Sequence, residues 1–414
     1  MARQRFLGWR VVGAAFIAEL VSMGASFSAF GVFVLPLAEH FETTRGVIAS
    51  GIGVMLLVTG LLGPLLGRII DRGPVKAMML VGVCLLATGL FLTSRATTLL
   101  QAGAAFCGLA AVGTAMFGPL PAMAIVSNWF VRRRGLALGI TVAGATAASM
   151  LAPPIAATLV DTVGWRNAIA ALGIGAAVVA LPVLALFIIP RPEEVGQAPD
   201  GDAVDPSAPA TASAGPETRA LLRDPRLWWI SFGFALVFAS PIVIGIHFIP
   251  YAEDAGLSRL RAATFFSVMA PFSLLGKVAF GAIADRIDVR RALWVGIALM
   301  SGGWVGLLAG PTFPVLLGLA TLFGLGVGAL GPIQGVIIGQ CFGRGAFGRV
   351  MGIGGLAGLP IIAGSAPLVG FLFDATGTYE SGFTLQLAAL GVAAVCFVFV
   401  RVPASEPVYT TVGT

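Results

Sequence analysis

The sequence predicts an all-α membrane protein of twelve transmembrane helices arranged as two related six-helix bundles. Three observations carry this expectation. The chain is apolar throughout: 57% of its 414 residues are hydrophobic, 11% are charged and 56 are glycine, with a mean hydropathy of +0.97, whereas a soluble domain carries about 25% charged residues. The apolar residues fall into separate runs near the length that crosses a bilayer, about 20 residues each. The chain also repeats itself. Gly67-Arg68-Ile69-Ile70-Asp71-Arg72 returns 214 positions later as Gly281-Ala282-Ile283-Ala284-Asp285-Arg286. Gly139, Pro154, Asp161 and Gly164 return 213 positions later as Gly352, Pro367, Asp374 and Gly377. Two unrelated landmarks at nearly one offset mark a duplication in parallel sense.

Taken in order, the first half carries runs at 11–37, 46–66, 76–93, 100–126, 136–160 and 167–189. The second half carries runs at 228–251, 262–284, 292–309, 313–338, 350–373 and 382–400. The first run continues well past signal-peptide length and therefore reads as a span. Frequent Gly and Pro suit membrane helices, where small residues let backbones approach. Residues 191–226 differ from their surroundings: Pro, Ala, Ser, Asp and Gly dominate and apolar periodicity is lost, which predicts a flexible linker. The expected organisation is an N-terminal bundle over 1–190, the linker over 191–226, and a C-terminal bundle over 227–414 that ends in a short tail. Cys84, Cys107, Cys341 and Cys396 lie in or beside apolar runs without metal-ligand spacing and read as small core residues.

The basic residues orient the chain. Nineteen of the 25 Lys and Arg fall on one set of connections, from Arg3, Arg5 and Arg10 through Arg132, Arg133 and Arg134 to Arg401. Five fall on the other set (Arg45, Arg95, Arg166, Arg259, Arg261), and Lys277 alone falls well inside a run. The crowded side is the cytoplasm by the positive-inside rule, which puts both termini there, in the plasma (cytoplasmic or inner) membrane. The pI of about 9.7 thus reflects orientation and not nucleic-acid binding.

Specific motifs sharpen the reading. The repeated segment is a G-x-x-x-D-R loop: Gly67-x-x-x-Asp71-Arg72-Gly73-Pro74-Val75-Lys76, and Gly281-x-x-x-Asp285-Arg286-Ile287-Asp288-Val289-Arg290-Arg291. With twelve spans and a central connection, this resembles the major facilitator superfamily over the whole chain. Asn128-Trp129-Phe130-Val131-Arg132-Arg133-Arg134-Gly135-Leu136-Ala137-Leu138-Gly139 resembles the W/Y-F-x-K/R-R-R-x-L-A-x-G signature of the monocarboxylate carriers and the oxalate/formate antiporter-like branch. Gly8-Trp9-Arg10-Val11-Val12, Phe30-Gly31-Val32-Phe33 and Ile249-Pro250-Tyr251-Ala252-Glu253-Asp254-Ala255-Gly256-Leu257-Ser258 resemble the same branch. The resemblance implies the major facilitator fold and secondary transport without a cofactor. Gly67, Asp71, Arg72, Gly281, Asp285 and Arg286, with Arg133 and Arg134, are then the candidate conformational latch. Glycine lets helices touch, and each Asp can accept hydrogen bonds at a helix end or pair with an Arg.

Lys277 is the leading candidate for binding substrate. It lies eight residues before Asp285, roughly 12 Å in from the helix end, where a lysine costs about 2.5–3.5 kcal/mol unless it faces water or an anion. The carrier resemblance implies the same position, since those carriers place a substrate-binding Arg four residues before the loop glycine. Animal carriers put an Asp one turn earlier, where this chain has Ser273, and their helix-1 lysine falls at Val32. Phe117, Gln334, Ser365 and Ser273 are weaker pocket candidates. Glu19, an intramembrane carboxyl nine residues beyond Arg10, is a candidate for proton coupling, and His247 is a second. The resemblance to oxalate/formate exchangers implies a second buried base in the eleventh run; 350–373 contains no Lys or Arg, so within that resemblance a monocarboxylate is expected over a dicarboxylate.

No P-loop, His/Cys metal spacing or nucleophile elbow is present. The sequence therefore predicts a non-enzymatic carrier driven by gradients. Its expected partners are a small organic anion, protons and the lipid bilayer, with no metal and no nucleic acid, and it is expected to act as a monomer. The leading reading is proton-coupled transport of a lactate- or pyruvate-like anion. The alternatives are an organic-anion exchanger, an efflux carrier for an amphipathic compound, or a receptor built on the same fold.

Overall fold

The computed structural model describes residues 5–202 and 215–403, without the side chain of Arg259. Arg3, linker positions 203–214 and the tail after 403 lie outside the described residues. Helix is the only regular secondary structure among those described. Eleven helical stretches are long and apolar enough to cross a bilayer. One of them, Arg134–Phe187, runs for 54 residues, about 81 Å at helical rise, far more than the roughly 30 Å hydrocarbon core. It is two spans joined at Gly164, whose φ of +79° lies in the left-handed region open to glycine.

The twelve spans are α1 (Gly8–His40), α2 (Arg45–Arg72), α3 (Val75–Arg95), α4 (Leu99–Trp129), α5 (134–163) and α6 (165–187), then α7 (Pro225–Asp254), α8 (Arg259–Ala284), α9 (Val289–Leu308), α10 (Phe313–Phe342), α11 (Phe347–Thr376) and α12 (Glu380–Val398). Most helices overshoot the expected runs by a few residues, because backbone bonding continues into the interface after apolar side chains stop. Gly377, the repeat partner of Gly164, also has positive φ (+71°) and ends α11. One repeated landmark is thus a helix-stopping glycine present once in each half. Two spans are irregular. α1 contains a π-helical turn at Gly24–Ser28. α4 contains one at Ala104–Ala110 and breaks at Gly118, where Pro119 starts the next helical piece without needing an N–H donor.

Within the halves, α1 packs on α5 and α7 on α11, while α2 packs on α4 and α8 on α10. These are corresponding pairs, as duplication requires. The halves meet mainly through α2 against α11 and α5 against α8. Because α2 corresponds to α8 and α5 to α11, each inter-half seam is the image of the other.

The stretch expected to be a flexible linker is held in place where it is described. Gln197 accepts from Leu7 N (3.1 Å) and donates to Arg5 O (3.1 Å). Asp200 accepts from the Val131 and Arg132 N–H groups at 3.0 and 2.9 Å, and Arg132 pairs with Asp202. Glu193 pairs with Arg344 of the second half at 3.1 Å. Asp200, Asp202 and Glu193 of this segment thus satisfy donors on the surrounding helix ends. A short helix, Thr218–Arg223, precedes α7, whose N-terminus at Pro225 is capped by Asp224. Of the cysteines, Cys341 and Cys396 are buried, Cys107 is half-buried and Cys84 is exposed. The core expectation therefore fails for Cys84, which turns outward from α3.

Candidate functional site

The described chain ends emerge from one end of the molecule, here the terminal face, and both inter-half seams are shut there. Asp71, at the end of α2, reaches across to the start of α11. Its Oδ1 accepts from Gly348 N at 2.8 Å, and its Oδ2 accepts from Arg349 N at 3.1 Å and Arg349 Nε at 2.7 Å. Both side chains are almost wholly buried, at 1% and 2% exposure. Asp285, after α8, does the same for α5: Oδ1 accepts from Gly135 N at 2.6 Å and Oδ2 from Leu136 N at 2.9 Å. The first N–H groups of a helix have no partner within it, and a carboxylate there also meets the positive end of the helix dipole. Each half thus caps a helix of the other.

Glycine makes this reach feasible. A Cβ on Gly67 would overlap the Gly348 carbonyl, and one on Gly135 or Gly281 would strike the backbone of the other. The repeated Gly and Asp therefore act together: the glycine sets backbone contact and the aspartate caps across it.

Deeper along the α5–α8 seam lies Lys277. A Cβ on Gly139 would overlap the Lys277 carbonyl, so the two helices touch at its level. Its Nζ donates to Val142 O of α5 at 2.8 Å. On the far side of the same stretch of α5, Gly144 packs against the Cβ of Glu19. Glu19 is 1% exposed, and its Oε1 has no hydrogen-bond partner among the described residues. A half-buried cation with spare donors and a buried carboxyl with a spare acceptor thus flank the 142–144 segment of α5.

A family model for the Major Facilitator Superfamily matches residues 15–279 and 248–412. The chain belongs to the Major Facilitator Superfamily. Among curated relatives, monocarboxylate transporter 11 of Mus musculus is 30% identical over 389 residues, covering 91% of this chain and 83% of that one. Monocarboxylate transporter 13 of Bos taurus is 28% identical, covering 92% and 87%. A solved bacterial homologue of the iron transporter ferroportin, in an outward-facing state, superposes with a TM-score of 0.69 at 18% identity over 95% of this chain and 98% of that one. The human organic anion transporter MFSD10 does so at 0.70 and 15% identity, covering 94% and 99%. At these identities the structural likeness shows the fold alone.

This superfamily member, of the monocarboxylate transporter branch, is a multi-pass membrane transporter and not an enzyme. The remaining sequence-chosen residues sort by position. Arg72, Arg133 and Arg286 are exposed and bind neither aspartate. Arg134 is buried but donates to Phe130 O, in the connection just before α5, at 3.0 Å. The arginine that does bind, Arg349, was not chosen from the sequence, because a basic residue near a loop reads as orientation. Ser273 is buried where α8 backs onto α10. Gln334 lines a cavity of about 40 Å³ between α7, α10 and α11. Ser365 donates to Ile362 O at 2.9 Å. Phe117 is fully buried beside the break in α4, so it lines no open pocket here. His247 Nε2 lies 2.9 Å from Ala366 O, tying α7 to α11 away from Lys277.

Proposed function

We propose that this transporter carries a small organic anion, a monocarboxylate of the lactate or pyruvate type, together with a proton. The observation that carries the reading is Lys277. An ammonium has three donors, and Val142 O takes one of them, at a depth where an unused cation is costly. A substrate carboxylate is the natural partner for the rest, and the relatives named monocarboxylate transporters favour that chemistry. Lysine acts as a compact point charge and lacks the bidentate fork of arginine, which suits a small anion. Neutralising Lys277 removes the cation that stands across the 142–144 segment of α5 from Glu19, so anion binding and proton binding are linked without direct contact. The excess of basic residues on the terminal-face connections supports a cytoplasmic placement of that face. The closed seams there then correspond to one state of an alternating-access cycle in which the halves rock about the site.

Uptake of labelled lactate and pyruvate into proteoliposomes, with and without an inward proton gradient, tests this. Lys277→Gln should abolish saturable uptake while leaving folded protein, and Lys277→Arg should keep some binding with altered preference. Wild-type rates in Lys277→Gln would end the proposal.

One feature favours the second reading, exchange or efflux of an amphipathic compound. A cavity of about 620 Å³, lined mostly by apolar side chains including Phe30, Phe33, Val47, Leu100 and Phe106, opens between α1, α2 and α4 away from Lys277. Transport that needs a counter-substrate and is indifferent to the proton gradient would favour that reading.

A further inference from the structure

On the terminal face, the helix Thr218–Arg223, the start of α7 and the end of α12 enclose an open cavity of about 780 Å³. Its charged lining comprises Arg219, Arg223, Arg226 and Arg401 against Glu217 and Asp224. Asp224 is committed to Arg226, with Nε at 3.1 Å from both carboxylate oxygens and Nη2 at 2.7 Å from Oδ2. That pair is neutral as a unit. What remains is Arg219, Arg223 and Arg401, all exposed and with no ion-pair partner among the described residues, against Glu217 alone. The cavity is therefore a net cationic mouth.

One side of the cavity is lined by the ring of Phe399, and neighbouring aromatic side chains of α7 continue from it. On α7, Trp229 and Phe232 follow Arg226 at three-residue steps, roughly 4.5 and 9 Å deeper along the helix. Trp229 stacks on Phe399 of α12 with ring centroids 5.1 Å apart, and Trp228 stacks on Phe232 at 6.1 Å. These rings are not core: Trp229 is 39%, Phe232 40% and Phe399 56% exposed. Exposed aromatic side chains at a helix end sit at the headgroup level of a bilayer. Unpaired guanidinium groups above an outward-facing aromatic wall match the layout of a phospholipid, with its phosphate outermost and its chains running inward.

We propose that this cavity binds the phosphate headgroup of an anionic phospholipid, held by Arg219, Arg223 and Arg401, with the acyl chains laid along the Trp229–Phe399 wall. Guanidinium favours phosphate because its planar donors engage two oxygens at once, and a net positive mouth selects anionic over zwitterionic headgroups. The assignment to the cytoplasmic leaflet rests on the orientation proposed above; the binding itself does not depend on which anion the transporter carries.

Native mass spectrometry of the full chain in detergent, titrated with phosphatidylglycerol or phosphatidylcholine, tests the site. The wild type should retain phosphatidylglycerol in clear preference to phosphatidylcholine. A basic side chain near a charged lipid surface is worth about fivefold in binding, so Arg219→Gln/Arg223→Gln/Arg401→Gln should lower retention at least about tenfold. The triple lysine variant at the same positions should keep most of it, which also separates lost binding from lost folding. Arg290→Gln/Arg291→Gln, on the same face but outside the cavity, should change little. Equal retention by the wild type and the glutamine variant would overturn the proposal, as would equal loss in the Arg290/Arg291 control. Displacement of the lipid by millimolar inorganic phosphate would overturn it in favour of a free-phosphate site. Lactate uptake by the glutamine variant, measured alongside, keeps a failure here distinct from a failure of the transport proposal.

Discussion

Asp71→Ala should swing the transporter toward the state open at its terminal face. In the closed seam, Asp71 accepts three hydrogen bonds from Gly348 and Arg349, and the ion pair is almost wholly buried. Removing the carboxylate leaves the Arg349 guanidinium buried with only the Pro216 and Gly345 carbonyls at 2.7 and 2.8 Å. Breaking a buried pair in this way costs about 3–5 kcal/mol. When the seam opens, Arg349 regains water, so nearly all of that cost falls on the closed state. The shift in the two-state equilibrium is then about two to three and a half orders of magnitude. The image seam supplies an internal scale. Asp285 bonds to two backbone N–H groups and to no arginine, so losing it resembles losing a helix cap, about 0.5–2 kcal/mol. Spin labels at Val131 and Ile287, exposed residues on opposite halves of this face, report the separation by double electron–electron resonance. Asp71→Ala should move most of the distribution to longer distances, and Asp285→Ala a smaller part. An unchanged distribution in Asp71→Ala, or a larger opening in Asp285→Ala, would refute the reasoning.

Gly135→Val should prevent closure of the α5–α8 seam, because its side chain meets the Gly281 carbonyl; the same label pair should show the long distance while substrate binding from the terminal side persists. Glu19→Gln should preserve exchange of labelled for unlabelled substrate yet lose accumulation driven by a proton gradient, and continued accumulation would place coupling elsewhere. Outside the membrane, Asp288 caps α9 by accepting from Arg290 N at 2.8 Å, and hydrogen bonding from the Arg290 guanidinium holds its carboxyl below the usual carboxylate range. Its contribution is present above the ordinary value of about 3.9 and is lost as pH falls through the depressed one. Because the pair is partly exposed, its charge adds only about 0.2–1 kcal/mol. Thermal unfolding in detergent at pH 7 should therefore show Asp288→Asn, which keeps a cap, close to wild type and Asp288→Ala lower. The wild-type advantage over Asp288→Ala should shrink below about pH 4.

Much of the architecture was legible because bilayer crossing imposes local rules. Run length gave the spans, and the offset repeat gave two equivalent halves. Gly164 and Gly377 stood out for a reason local to each: a left-handed backbone that ends a helix. The hydropathy pattern could not show the interruptions in α1 and α4, since a π turn leaves composition unchanged. Lys277 was legible as a misplaced charge, because a lone cation in an apolar run is costly wherever it points.

The sequence by itself determined that this is a duplicated helical membrane protein, that glycine and aspartate recur at equivalent helix ends, and that one lysine is out of place. Only the tertiary structure decided what those residues meet. Asp71 finds Arg349 across 278 positions of chain, and Asp285 finds Gly135 across 150. The linker's acids find donors on both halves. Lys277 and Glu19 come to flank one stretch of α5 from two different helices. Local composition reports how costly a group is to bury, but the partner that offsets the cost is supplied by packing between halves, and no local pattern records it.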